Sequence, residues 1–542
     1  MLAFEGERVP RWVERRLVEA PAAGVTLFMA FNVSRPGQVR ELTESFQQAG
    51  RAGAETRGAA GDRGVAGDHS GDAGPLLVAA DQEGGQLNAL GAEATQFAGN
   101  MALGATGDET LTEAVGAAIG REARAMGVNV VYAPVLDLAS EPNNSALGIR
   151  SFGDDPVAVA RHGAAMVRGL QSAGVAATVK HFPGLGAVDQ DTHYDLGVVR
   201  DGREALEANE LAPFRAAIAA GARLAMSAHV AVPALSGDET LPATLSRAVM
   251  QGTLRDDLGF RGVAISDAFD MRALAQGAAQ AVEVIAAVRA GIDLLLCAAD
   301  RPAQRRIEET LRAAGARGLF EPGELATSSA RLADLRTWLA AAGPLPDLDV
   351  VGSADHRALS LTLAERSLTR LDRGAGGREA EPIAFAAGTR ILAVMPQPAD
   401  LTPADTSAYI APGLARALRT CFASVEEVVV AVAPSDTEIT AVRERAADGG
   451  FDAIVVGTIE AHRQPAQAAL VRALAGTGVP IVAVALRTPW DAAVYPAGLR
   501  AIATYSILPD PLEALARALA GEIGLPGVLP VAVGAAATSA VG

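Results

Sequence analysis

The segment TVKHFPGLGAVDQDTH, residues 178–193, holds the chain's only lysine, Lys180, directly before His181 and thirteen residues before His193. Within it, Asp191-Thr192-His193 is the triplet with the clearest chemistry. Residues two apart in an extended loop project to the same side, so Asp191 accepts a hydrogen bond from the His193 imidazole. That bond orients the ring and favours its protonated form, which suits a general acid and base near neutral pH. Such triplets also arise in surface loops that have no catalytic role. Gly184 and Gly186 favour the catalytic reading, because they point to a loop that moves over a substrate.

Lys180 and His181 close an apolar run in tandem, and consecutive strand residues face opposite sides unless the strand end twists. A lysine offers a compact ammonium with three donors, which suits sugar hydroxyls better than a planar guanidinium; a structural salt bridge is the plainer reading. Asp267, in GVAISDAFDM, ends another buried run, where a carboxylate is costly unless paired or functional. It either caps a helix over AFDMRALAQG or serves as a nucleophile at a site mouth, and its position alone does not choose. Asp81, in DQEGGQL, and Arg150, in ALGIRSFGDDP, stand beside glycines that let backbone approach a ligand. A carboxylate, a guanidinium and an ammonium around one mouth suit a neutral, hydroxyl-rich molecule.

These residues need a scaffold that gathers strand ends. Strand-length apolar runs begin at Gly24, Pro75, Asn129, Val175, Ala222, Gly262 and Gly291, and alternate with amphipathic stretches, the pattern of a parallel sheet. One amphipathic stretch, from Pro156, has Asp154 and Asp155 as candidate caps and Gly174 as a stop. Polar clusters follow the runs: Asp81-Gln82-Glu83, Asp137, Lys180-His181, Ser227 with His229, and Ser266-Asp267. In a barrel those ends meet at one mouth, whereas an open sheet spreads them along an edge. The expected fold is therefore a TIM-type (β/α) barrel over residues 1–345. Gly343, Pro344 and Pro346 mark a linker, and a second series of runs in residues 346–542 predicts a smaller α/β sandwich domain. Residues 49–74, rich in Gly, Ala and Asp and including His69, read as an exposed insertion.

Composition narrows the function. A net charge of -17 excludes the basic footprint that nucleic-acid binding needs. The most membrane-like run, residues 216–235, is interrupted by Arg223, His229 and Pro233, short of the roughly 20 apolar residues of a spanning helix. The first residues carry charges where a secretory peptide needs an apolar core, which leads us to expect a cytoplasmic protein. Cys297 and Cys421 cannot build a thiolate cluster. The seven histidines show no H-x-x-x-H spacing, and no glycine-rich dinucleotide fingerprint opens a helix, so no metal or other cofactor is expected. Nothing in the sequence specifies an oligomeric state.

Taken in order, DQEGGQ, YAPVLDLASEPNNSALGIRSFGDDP, KHFPGLGAVDQDTH, SAHVAVPAL, LPATLS and LRDDLGFRGVAISDAFDM resemble family 3 glycoside hydrolases from about residue 20 to 340. The resemblance is specifically to the bacterial β-N-acetylhexosaminidases that trim N-acetylglucosamine from peptidoglycan fragments. It implies that Asp267 is the nucleophile of a retaining mechanism, that His193 paired with Asp191 is the acid/base, and that Asp81, Arg150, Lys180 and His181 bind the sugar. It implies a carbohydrate as the partner. Leu185, Ala187 and Val188 depart from the usual K-H-F-P-G-H-G-D-T motif, Gln86 and Ala89 replace the usual arginines after D-Q-E-G-G, and Ala268 follows the nucleophile where Asp is common. Phosphorolysis, broader β-glucosidase activity and a non-catalytic sugar-binding role are the alternative expectations.

Overall fold

The structure is a computed structural model that describes residues 1–19, 22–59, 74–188, 190–372 and 383–534. Seven parallel strands hydrogen-bond in chain order: β1 (Gly24–Leu27), β2 (Leu77–Ala80), β3 (Val130–Val131), β4 (Ala176–Phe182), β5 (Leu224–Ser227), β6 (Val263–Ala268) and β7 (Leu294–Leu296). The gap between β7 and β1 is filled by Met1–Ala3. Leu2 N donates to Gly24 O at 2.9 Å and Thr26 N to Leu2 O at 2.8 Å, while Met1 N donates to Leu295 O at 2.8 Å. This short stave completes the ring.

Burial on both faces explains why the strands are continuous apolar runs. Leu77, Ala79, Val130, Ala176, Leu224, Val263, Ile265 and Leu294 point inward and fill the barrel, which Leu335, Trp338 and Leu339 plug from the helix Pro322–Ala340. The alternate residues, Val78, Ala80, Val131, Ala177, Val179, Ala225 and Ala264, pack outward against the helices. The helix Pro156–Ser172 starts as expected, with Asp155 accepting from Val157 N at 3.0 Å, and Gly174 follows it with φ 76°.

The expected insertion requires correction. Residues 49–59 finish the long helix Pro36–Ala59. Their alanines, Arg and Glu favour helix enough to outweigh the glycines, and Gln47 ties the helix to Leu76, donating to its O at 3.0 Å and accepting from its N at 2.9 Å. Residues 60–73, His69 included, lie outside the described residues.

The second sheet contains β8 (Thr369–Arg370), β9 (Arg390–Pro396), β10 (Ser424–Val430), β11 (Ala453–Thr458), β12 (Ile481–Ala485) and β13 (Arg500–Ala503), in the order β8-β13-β12-β11-β9-β10. All pairs are parallel except β8 with β13. Ile391, Ala393 and Met395 face one layer of helices, and Leu392 and Val394 face the other, which makes the α/β sandwich. Ala485, Trp490, Ala503, Tyr505 and Val531 join the barrel's own core cluster, so the two sheets are packed into one body.

Candidate active site

After β2 the chain turns through Asp81 into a hairpin of Gln82–Gly84 against Leu87–Asn88. Gly84 and Gly85 have φ of 83° and 61°, and a Cβ on Gly85 would meet Gly99 Cα at 3.3 Å, so the turn requires glycine. The hairpin buries Glu83 between two cations. Arg150 Nε and Nη2 each donate to Glu83 at 2.8 Å, and Lys180 Nζ stands 2.6 Å from Glu83 Oε1 and 2.7 Å from Asp81 Oδ1. Burial opposes ionisation of Glu83, but Arg150 and Lys180 outweigh it and hold the carboxyl at about 2. Burial likewise works against the Lys180 ammonium, while Asp81 and Glu83 raise its pKa. Two acids and two cations thus form a closed, charge-balanced cluster, and both the salt-bridge and the donor readings of Lys180 hold geometrically: two contacts are to protein and a third hydrogen remains.

Beside this cluster, Asp137 is fully buried and accepts from His181 Nδ1 at 2.6 Å, from His181 N at 3.2 Å and from Leu185 N at 2.9 Å. Arg150 Nη2 lies 3.4 Å from His181 Nε2. Arg150 Nη1 donates to Ala146 O at 2.6 Å, so most of this guanidinium is spent on protein groups. Lys180 and His181 both serve the mouth despite being neighbours, because the register of β4 against β5 shifts between Val179 and Phe182.

The loop after β4 carries the triplet. His193 Nδ1 lies 2.6 Å from Asp191 Oδ1, and His193 N also donates to that oxygen at 3.0 Å. Burial works against the Asp191 carboxylate, but the bond from His193 brings its pKa below the ordinary value. The His193 side chain is 24% exposed, and its Nε2 has no partner among the described residues. The glycines that suggested a moving loop prove to be anchors. A Cβ on Gly186 would fall 1.8 Å from Leu138 O, and one on Gly184 would fall 2.6 Å from Glu210 Oε2. Leu185 and Val188, which depart from the family motif, are buried and pin the loop further.

Asp267 is the penultimate residue of β6, and residues 269–276 form no helix, which removes the capping reading. Its Oδ1 accepts from Ala268 N at 2.8 Å. Burial opposes its ionisation, yet His181, His229 and His193 together draw its carboxyl below the ordinary range. His229, buried after β5, is held by Thr244 Oγ1 at 2.8 Å and by Ala268 O at 3.2 Å. Arg272 N donates to His193 O at 3.1 Å, so the segment after Asp267 and the dyad loop are joined directly.

All seven residues singled out from the sequence therefore meet at the C-terminal end of the barrel. Sequence reasoning assigned no role to Glu83, Asp137 or His229, although each follows a strand run. Gln86, in place of the usual arginine, reaches the second domain: its Nε2 donates to Ala404 O at 3.1 Å. A cavity of about 1550 Å³ lies elsewhere, on the barrel flank around Trp12, Ile292 and Phe320. Charges in its lining pair among themselves, as in Arg16 with Glu308, Arg247 with Glu324 and Arg331 with Asp293.

Residues 62–332, half of the chain, match the model described as the glycosyl hydrolase family 3 N-terminal domain. The chain belongs to glycosyl hydrolase family 3. Within the family it is similar to beta-hexosaminidase A of Pseudoalteromonas piscicida, with 32% identity over 64% of this chain and 59% of that protein. It is also similar to the beta-N-acetylglucosaminidase/beta-glucosidase of Cellulomonas fimi, with 33% identity over 54% of each. The match thus spans little more than half the length of these curated relatives. Among solved structures, a family 3 beta-N-acetylglucosaminidase from Paenibacillus sp. str. FPU-7 superposes with a TM-score of 0.88 at 33% identity, covering 98% of this chain and 96% of that one. The superposition includes the second domain. No helix among the described residues is long and apolar enough to cross a membrane.

Proposed function

We propose that this chain is a retaining exo-β-N-acetylhexosaminidase that removes terminal β-linked N-acetylglucosamine, with fragments of peptidoglycan as its substrate class. The observation that carries the reading is the open dyad: His193, oriented by Asp191 at 2.6 Å and 24% exposed, has no partner for its far nitrogen among the described residues. In this reading Asp267, its carboxyl drawn below the ordinary range, attacks the anomeric carbon and forms a glycosyl ester. His193 gives its proton to the departing oxygen and then takes one from the water that cleaves the ester. Asp81, Lys180, Arg150 and His181 hold the sugar's hydroxyls and acetamido neighbourhood, with the buried Glu83 fixing Lys180 and Arg150 so that little reorganises on binding. The names of the Pseudoalteromonas and Paenibacillus relatives support the acetamido sugar.

The double name of the Cellulomonas relative favours a second reading, in which glucosides are also accepted. Turnover of matched aryl β-N-acetylglucosaminide and β-glucoside in phosphate-free buffer separates the two. Preference for the acetamido sugar is expected, and equal or better turnover of the glucoside overturns it. Repeating the assay in phosphate with analysis for sugar 1-phosphate tests phosphorolysis, and its absence is expected.

A further inference from the structure

Glu210 is an acid that this mechanism does not use. It stands between the helices Arg203–Ala208 and Leu211–Ala219, is 4% exposed, and its buried Oε2 has no hydrogen-bond partner among the described residues. Its side chain stands against Gly184. The space that a Cβ on Gly184 would take is already filled by Glu210, whose Oε2 and Cβ would lie 2.6 and 3.0 Å away. One residue further, the loop is held by Leu185 N on Asp137 at 2.9 Å and by Asn144 Nδ2 on Leu185 O at 2.9 Å. The ionisable groups that act on Glu210 are Asp137, from the segment after β3, and Asp201, from the approach to helix Arg203–Ala208. Both are acids, and neither offers a counter-charge. Burial first, and these two acids second, push the Glu210 carboxyl up to about 8. A neutral carboxyl tolerates an unpartnered oxygen at modest cost, whereas a buried anion without a partner does not persist.

We propose that Glu210 is a positioning residue: as a neutral acid it supports residues 183–188, and on losing its proton to solvent it displaces them and misplaces the Asp191–His193 pair. Hydrating the carboxylate requires Gly184 to lift away, and a second charge beside Asp137 weakens the carboxylate that holds both Leu185 N and His181. The effect on turnover rests on the reading of His193 as proton donor; the loop motion does not.

Two readouts keep those apart. The first is amide hydrogen exchange of residues 183–193 between pH 6.5 and 9.5, corrected for the intrinsic rate, in the wild-type chain. Protection is expected to fall at least about tenfold through pH 8 relative to the barrel strands, and to stay level in Glu210→Gln. Level protection in the wild-type chain overturns the proposal, whether or not the variant folds. The second is the pH profile of kcat/KM, in which Glu210→Gln is expected to move the alkaline limb upward by about one pH unit. If the loop opens with pH while turnover does not respond, the support role stands and the assignment of His193 fails. If the limb of Glu210→Gln coincides with that of the wild-type chain and protection is also level, Glu210 is not a support.

Discussion

His193 with Asp191 at the barrel mouth and His462 with Asp491 in the second domain are the same pair of side chains put to different ends. In each, a carboxylate oxygen meets Nδ1, at 2.6 Å in the first and 2.8 Å in the second. The difference is at the other nitrogen. His193 Nε2 has no partner among the described residues, whereas His462 Nε2 lies 3.0 Å from Pro142 O across the domain boundary, and its side chain is 9% exposed. Asp491 is held in turn by Thr458 Oγ1 at 2.5 Å, and the His462 ring packs edge-on to Trp490. A carboxylate therefore orients an imidazole without deciding its use; a ring with both nitrogens occupied is a clamp, and a ring with one open can move a proton. The clamp is still connected to the site, since Pro142 lies on the loop that carries Asn144, which bonds Leu185 O, and Ser145, which lies 3.4 Å from Asp191.

The sharpest way to break this contrast is to remove the group both readings depend on. Asp267→Ala is expected to lower kcat by about 10⁵-fold or more while leaving the melting temperature nearly unchanged, measured on an aryl β-N-acetylglucosaminide. Persistent turnover would move the nucleophile elsewhere. His193→Ala is expected to cost about 10²- to 10⁴-fold on substrates with poor leaving groups. Glu83→Gln tests the cluster behind the mouth. It leaves Arg150 and Lys180 buried without their shared anion and is expected to destabilise the fold by about 3–5 kcal/mol, read by denaturant unfolding.

The same carboxyl predicts a pH dependence. Its pKa is about 2 in the folded chain, below the ordinary 4.5, so the unfolded state binds the proton first as pH falls. Its contribution, of about 3 kcal/mol at most, is fully present above pH 4.5 and is lost as pH falls toward 2. Acid unfolding of the wild-type chain should therefore be steeper over that window than that of Glu83→Gln; equal slopes would contradict the pairing. The smallest effect is expected from His462→Ala, which should lower stability by about 1–3 kcal/mol and change kcat by less than about tenfold. A loss as deep as that of His193→Ala would erase the distinction between clamp and catalyst.

Much of the scaffold was legible because buried strands announce themselves as apolar runs. All seven parallel barrel strands, and the five parallel strands of the second sheet, fall on runs read from the sequence. Met1–Ala3 and Thr369–Arg370 did not, because two or three residues carry no periodicity and their strand character comes from the neighbours they bond. The dyad was legible for the opposite reason: its geometry is local, two residues apart. Glu83 and Asp137 were visible only as strand-end acids, since their importance lies in partners 67 and 44 positions away. Gly184 and Gly186 misled in the other direction. A glycine required by a close approach looks, in sequence, the same as one that permits motion, and only the positions of Glu210 and Leu138 distinguish them.

The proposed function turns on the open nitrogen of His193 moving the proton. Its most direct test is the leaving-group dependence of kcat/KM for the wild-type chain, His193→Ala and His462→Ala, across aryl β-N-acetylglucosaminides whose phenols span a wide range of acidity. His193→Ala is expected nearly to match the wild-type chain on the most acidic phenol and to fall away steeply as the phenol weakens, while His462→Ala runs parallel to the wild-type chain throughout. An equal loss on every substrate for His193→Ala, or a steep slope for His462→Ala, would contradict it.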